Sequence, residues 1–197
     1  MSTVVDLMQF KERGRGLPTL VLVDLHHDAS DPAASCSSGS VTDAIANCRR
    51  LLAHARANGF PVGFTRRLAA PPNPATTPVY PRWIEGFEPR RSDMIFDRWR
   101  PSCYASAPFA EMGECLSGTY VLAGQFGEMS CLSTAIDAFH RDHRPTFLTD
   151  ALVIRGGDDI SASAMQRAIA HIISLYADAK STENWVLATA RRMRVRE

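Results

Sequence analysis

Apolar residues recur along the chain with two periods. Residues 18–24 (PTLVLVD) are a short aliphatic, β-branched run that ends in an acid, which predicts a buried strand. The next stretch, HHDASDPAASCSSGS, is rich in Ser, Ala, Asp and Pro and reads as loop. From Val41 to Asn58 the apolar positions Val41, Ile45, Leu51, Leu52 and Ala55 keep helical spacing, and Gly59 offers a C-terminal stop. FPVGFT (60–65) predicts a second strand. Residues 66–93 carry a dense group of prolines (PPNP, TPVYP, EP), and so long an excursion in a compact domain is usually functional. MIFD (94–97) then reads as a strand, 106–117 as a short helix and TYVLAG (119–124) as a strand. A helix over 129–142, a strand over 145–150 (PTFLTD), a long helix from Ser161 to Ala179 and a last strand over 183–189 (ENWVLAT) complete the chain.

This order, β-α-β-loop-β-α-β-α-β-α-β, predicts parallel strands joined by crossover helices. The fold class is therefore α/β, a three-layer α/β/α sandwich with a mainly parallel, Rossmann-like sheet. At 197 residues, with no internal repeat, a single domain over 1–197 is expected. In open parallel sheets ligands bind at the carboxyl ends of the strands. Asp24, the turn after Asp97 and the turn after Gly124 all fall at such ends.

Charge and composition narrow the function classes. The formal net charge is +1, which argues against a nucleic-acid partner. The terminal RRMRVR is the one basic run and reads as a solvated tail. No apolar run approaches the ~20 residues of a membrane span, and the N-terminus lacks a secretory h-region, so a cytoplasmic location is expected. The five cysteines, Cys36, Cys48, Cys103, Cys115 and Cys131, are odd in number and form no CxxC, which favours a reducing compartment over a disulfide or zinc framework. The six histidines are scattered, with His26-His27 the one adjacent pair, so neither metal nor cofactor is expected. Of the 22 basic residues only Lys11 and Lys180 are lysine. That bias reflects either a high-GC genome or a need for planar, bidentate gripping of carboxylates.

Three segments can carry chemistry. Asp24 closes an apolar strand; it is either a loop acid or, with its pKa raised by desolvation, a general acid or base. In DRWRPSCY (97–104), Arg98 and Arg100 flank Trp99, as surface arginines around a buried Trp or as a cation clamp with Trp99 as its wall. In AGQFGEMSCLSTAIDAF (123–139) a strand ends at Gly124 and a helix starts near Met129. Ser130 at that start is either an N-cap or stands where free amides and the helix dipole favour negative charge.

Together, GQFGEMSCLSTAIDAFHRDHRPTFLTDA, DRWRPSCY and Asp24 resemble the isochorismatase-like hydrolases over roughly residues 18–190. The resemblance implies the same α/β fold. Most of that superfamily are amidases with an Asp, Lys and Cys triad. On this chain Asp24 matches the Asp, and Arg98 stands where the family has Lys. Counting back from Thr134-Ala135 and Asp137-Ala138 puts Ser130 at the nucleophile position, with Cys131 one residue late. One residue is about 100° on a helix, so Cys131 is expected to point away, as a small buried residue.

A small residue followed by Cys is similar to the isochorismatase and phenazine-pathway branch, which cleaves a vinyl ether without a thiol. On that resemblance Asp24 is the proton donor to an enolpyruvyl ether of isochorismate or an amino analogue, and Arg98 grips a carboxylate. Phe126, often Tyr in the branch, would wall the ring pocket. Arg67 lies near where the branch has a substrate-binding Gln; Trp83 and Arg100 would join the pocket. Glu128, often His, would repel an anion unless Arg66, Arg67 or Arg100 neutralises it. His26 replaces a common Gln. The alternatives are an amide or ester hydrolase with Ser130 or Cys131 as nucleophile, and a non-catalytic metabolite binder. The expected partner is a small anionic metabolite, without nucleic acid or membrane. The setting implied is secondary metabolism, such as siderophore or phenazine biosynthesis. A homodimer or higher homo-oligomer is expected by resemblance; some members carry an extra carrier-protein domain, and with the sequence ending at Glu197 a stand-alone enzyme is expected here.

Overall fold

The computed structural model describes residues 17–27, 39–68, 79–157 and 159–194. Most of the predicted loop after His27, including Cys36, lies outside them, as does the tip of the proline-rich excursion. Six strands form one parallel sheet: β1 (Thr19–Val23), β2 (Val62–Arg67), β3 (Met94–Arg98), β4 (Tyr120–Gly124), β5 (Thr146–Leu152) and β6 (Asp178–Lys180). Their spatial order is β3-β2-β1-β4-β5-β6. All five neighbouring pairs are parallel.

The helices are α1 (Gly39–Ala57), α2 (Ala107–Cys115), α3 (Leu132–Phe139), α4 (Ala162–Ser174) and α5 (Thr182–Arg194). Every residue of β1 is buried, because helices cover both faces of the sheet. Alternate side chains serve opposite layers. Leu20 and Leu22 pack with Ile45, Leu51 and Trp185 from α1 and α5. Val21 and Val23 pack with Phe109, Ala135 and Ile173 from α2, α3 and α4. No helix among the described residues is long and apolar enough to cross a membrane.

The C-terminal end of the chain departs from the predicted pattern. Residues 183–189 are not a strand but belong to α5. Trp185 and Thr189 are buried while Leu187 between them is 49% exposed, which is a helical face rather than a continuous apolar run. The Asp150 carboxylate accepts from the Thr182 N–H and hydroxyl, both at 2.8 Å, and fixes the start of that helix. The sixth strand instead falls at Asp178–Lys180, overlapping the end of the helix expected over 161–179. Its three residues are all exposed, so hydrophobic periodicity gives no sign of it. Of the basic run, residues 191–194 continue α5 rather than forming a tail.

Two other departures shape the site. The helix expected over 129–142 opens with a wide turn, Gly127–Cys131, and becomes α3 only at Leu132. Part of the proline-rich excursion folds back along the segment after β1. His27 N–H donates to Arg82 O at 2.8 Å, Ile84 N–H donates to Leu25 O at 3.0 Å, and His26 bridges Trp83.

Gly124 ends β4 against the end of β1. Its φ is +139°, and a Cβ built there would lie 2.2 Å from the Val23 carbonyl oxygen. No side chain fits without parting the two central strands. Gly124→Ala is expected to destabilise the protein by more than about 2 kcal/mol, read from the urea midpoint. An unchanged midpoint would refute this packing.

Candidate active site

Asp24 follows β1 directly, with a left-handed φ of 51° that Asp tolerates better than most residues. Its carboxylate is fully buried, as is the Arg98 side chain that faces it. Arg98 ends β3 and reaches across β2, donating Nη1 to Oδ1 and Nη2 to Oδ2 of Asp24, both at 2.7 Å. Its Nε donates to Pro101 O at 3.1 Å. Thr65 on the intervening strand donates its hydroxyl to Oδ1 at 3.2 Å. The Ser130 hydroxyl donates to Oδ2 at 2.9 Å. His26 Nε2 stands 3.8 Å from Oδ1.

This geometry corrects the expected titration of Asp24. Burial by itself pushes the carboxyl upward, but the Arg98 charge and its hydrogen bonds outweigh burial, and the pKa lies well below the usual carboxylate range. Burial likewise opposes the charge on Arg98, and the Asp24 carboxylate overrides it and raises the guanidinium pKa. The pair therefore rests as carboxylate and guanidinium, not as a protonated acid.

The turn after β4 fixes Ser130. Phe126 has a left-handed φ of 56°. Its carbonyl accepts from the N–H groups of Met129, Ser130 and Cys131 at 3.0, 2.7 and 3.2 Å. Ser130 is thus not an N-cap, since its hydroxyl goes to Asp24. The Ser130 carbonyl accepts from the Thr134 hydroxyl at 2.7 Å, which in turn accepts from Cys103 N–H at 2.9 Å. Cys131 is fully buried, and its thiol is directed at Gln125 O, 3.8 Å away. Burial pushes that thiol well above its ordinary pKa and raises that of Cys103 as well.

A second group lies beside the first. The Phe126 ring carries two guanidinium groups, Arg67 at 5.0 Å and Arg155 at 5.1 Å from its centroid. Arg67 donates its backbone N–H to His26 Nε2 at 3.4 Å and Nη1 to the Met129 sulfur at 3.2 Å. Trp83 meets His26 edge-on, with centroids 6.2 Å apart. Arg66 grips Asp97 at 2.7 and 2.9 Å and covers Tyr80 and Trp83.

The structure thus joins Asp24, Arg98 and Ser130, and sets Phe126, Arg67 and Trp83 next to them through His26. Arg100 is exposed and enters neither group. The condition set for Glu128, neutralisation by Arg66, Arg67 or Arg100, is not met. Arg66 is committed to Asp97, and neither Arg67 nor Arg100 forms an ion pair with Glu128, whose buried Oε2 has no hydrogen-bond partner among the described residues. Thr65, Thr134 and Arg155 escape the sequence reading. Thr65 and Arg155 lie at or just past strand carboxyl ends, the signal that could have found them; Thr134 carries no such mark. Among the described residues, no group of three or more His, Cys, Asp or Glu side chains is placed to hold a metal ion.

Arg98→Met would leave Asp24 buried without its partner, at an expected cost of about 3–5 kcal/mol near neutral pH. In the wild type the depressed Asp24 pKa stabilises the fold above the unfolded value, and that stability is lost as pH falls. In Arg98→Met burial raises the same carboxyl, so its stability is present at acid pH and lost as pH rises. The stability gap should therefore narrow from about pH 7 to about pH 4. Denaturant titrations of both proteins would reject the buried pair if the gap were constant.

Known proteins bear on the family. The model of the isochorismatase domain matches residues 18–183. Enterobactin synthase component B of Escherichia coli K12 is 28% identical over 82 residues, 41% of this chain and 29% of that protein. The matched stretch thus spans less than a third of that relative. A cysteine hydrolase from Pseudomonas syringae superimposes with a TM-score of 0.74 at 19% identity, covering 88% of this chain and 92% of the other. An isochorismatase from Pseudomonas putida gives 0.69 at 20% identity, covering 85% and 89%. These two likenesses speak for the fold. The domain match spans all six strands and every residue of the buried Asp24 cluster, and the chain belongs to the isochorismatase domain family of hydrolases.

Proposed function

We propose that this protein hydrolyses the enolpyruvyl ether of isochorismate or an amino analogue, releasing pyruvate without a covalent intermediate. The observation that carries this reading is the state of the turn after β4. Its three amides all donate to one carbonyl, and its thiol is turned to Gln125 O. The turn therefore presents no exposed thiol for a cysteine amidase, and three of its amides are already committed. Ether cleavage requires neither a thiol nor free amides.

The chemistry assigned is as follows. A proton on the Asp24 carboxyl passes to the methylene carbon of the enol ether, and the oxygen lone pair forms an oxocarbenium ion. Water adds to that ion and returns a proton to the Asp24 carboxylate. The hemiketal then collapses to pyruvate and the ring alcohol. Arg98 does not donate a proton, since guanidinium stays charged throughout. Asp24 is ionised beside Arg98, so the proton has to enter with the substrate. A substrate carboxylate next to Asp24 shares the guanidinium and adds a like charge, and both effects raise the Asp24 pKa.

The Ser130 to Asp24 hydrogen bond favours a second reading, with Ser130 as nucleophile on an amide or ester. A carboxylate held so acidic is a weak base for that task. The relative named as an enterobactin synthase component makes siderophore-type metabolism the setting to try first.

A pyruvate-coupled assay tests the proposal. Asp24→Asn should lose about 10²–10⁴-fold in kcat, and Ser130→Ala should keep most of the activity. With free-enzyme Asp24 titrating far below neutrality, kcat/KM should fall about tenfold per pH unit between about pH 5 and 8. Absence of pyruvate would refute the reading. So would loss of turnover in Ser130→Ala with retention in Asp24→Asn.

A further inference from the structure

A buried imidazole stands beside the reacting carboxylate and takes no part in the chemistry assigned above. His26 is 4% exposed, and its Nε2 lies 3.8 Å from Asp24 Oδ1, about half an ångström beyond hydrogen-bond reach. Its Nδ1 lies 3.2 Å from His27 O, a carbonyl that can only accept, so Nδ1 carries the ring proton. Nε2 then offers a lone pair, which accepts the Arg67 N–H at 3.4 Å. The ring is therefore neutral, with its basic nitrogen next to the carboxylate. Two other histidines differ in their partners. His54 bonds the Thr189 hydroxyl, and the acid beside His143 is the exposed Glu114, whereas the acid beside His26 is fully buried.

The charged groups around the ring set when it can take a second proton. Asp24 comes from the end of β1, with Arg98 fixed to it. Arg67 comes from the end of β2, its guanidinium turned to Met129 and Phe126. Trp83 meets the ring edge-on; Arg66 lies over Trp83 and is paired with Asp97. His27 and Arg82 are exposed beside it. The ring thus faces a neutral ion pair and a cation, which give it no reason to charge. A ligand carboxylate that shares Arg98 adds a negative charge to this dry site, and a charged imidazole then becomes favourable.

We infer that His26 relays the proton to Asp24: a carboxylate bound beside Arg98 charges the ring, and Nε2–H then passes its proton to Oδ1. The inference rests on the ether reading for the step that consumes the proton. The proton comes from solvent as the ligand binds. The Nε2–H bond breaks, an Oδ1–H bond forms and the ring returns to neutral. Asp24 then protonates the methylene carbon, and the proton released by the added water returns to the Asp24 carboxylate. A carboxylate gripped by Arg98 is too weak a base to collect a proton from neutral solution, whereas an imidazole is suited to that task. His26 acts through Asp24, so it is a positioning residue for the proton rather than the acid itself.

The test is calorimetric binding of benzoate at neutral pH in two buffers of different ionisation enthalpy, which counts the protons taken up. The wild type should take up about one proton per benzoate bound. His26→Gln should take up almost none, because Gln offers Arg67 an acceptor but holds no proton. If His26→Gln fails to fold, His26→Asn replaces it with the same expectation. In the pyruvate assay His26→Gln should lose at least about tenfold in kcat, and added imidazole should restore part of the loss. No uptake in the wild type, or uptake retained in His26→Gln, would overturn the relay. The binding experiment does not involve turnover. Proton uptake without pyruvate release would sink the ether reading and leave the relay standing; pyruvate release by His26→Gln at the wild-type rate would do the reverse.

Discussion

The ion pair of Asp24 and Arg98 has no solvent at all, and the site is built around that fact. Removing two charges from water costs several kcal/mol for each ion. The expense is offset only when every lone pair and N–H is met, and here nearly all are. Asp24 accepts from both arms of the guanidinium, from Thr65 and from Ser130. Arg98 also meets Pro101 O. Each donor arrives on a different element, so the carboxyl ends of β1, β2 and β3 and the turn after β4 are held in mutual register by one carboxylate. The left-handed backbone of Asp24 persists because these bonds over-determine it.

The turn after β4 shows how local backbone chemistry sets what a site can do. A helix that begins in the ordinary way leaves its first amides free for an anion. Here one carbonyl, that of Phe126, takes three of them. The turn is widened, Ser130 is rotated towards Asp24 and Cys131 is rotated into the core. The position that would hold a nucleophile therefore becomes a donor to the buried carboxylate. The same residue types in an ordinary helix start would point to acyl transfer.

Much of this was legible in the sequence, and the failures have physical causes. The apolar runs at β1 and β4 gave those strands because parallel strands are buried on both faces. The family register counted back from Thr134-Ala135 and Asp137-Ala138 singles out Ser130, the residue whose hydroxyl here donates to Asp24. The Asp24 titration was misread because burial is visible in an apolar run, whereas the partner 74 residues away is a tertiary fact. ENWVLAT was misread because a short apolar run has no distinctive period; the exposed Leu187 between Trp185 and Thr189 resolves it only once the fold is known. Arg155 was missed because a lone arginine after a strand carries no pattern until Phe126 is seen beneath it.

Net charge illustrates the same limit at the scale of the site. A formal charge of +1 argues against a polyanion but does not say which small ion the site attracts. Around the sheet's carboxyl edge the acids are consumed pairwise, Asp24 by Arg98 and Asp97 by Arg66. Those pairs are neutral and exert little pull on a distant anion. What remains is Arg67 and Arg155 on one aromatic ring with the unpaired Glu128 two residues beyond it, and the field there is the balance of these charges. The buried pair and the half-buried arginines are thus complementary. Neutralisation keeps the reacting carboxylate fixed and dry, and the unneutralised arginines supply the attraction that a neutral site lacks.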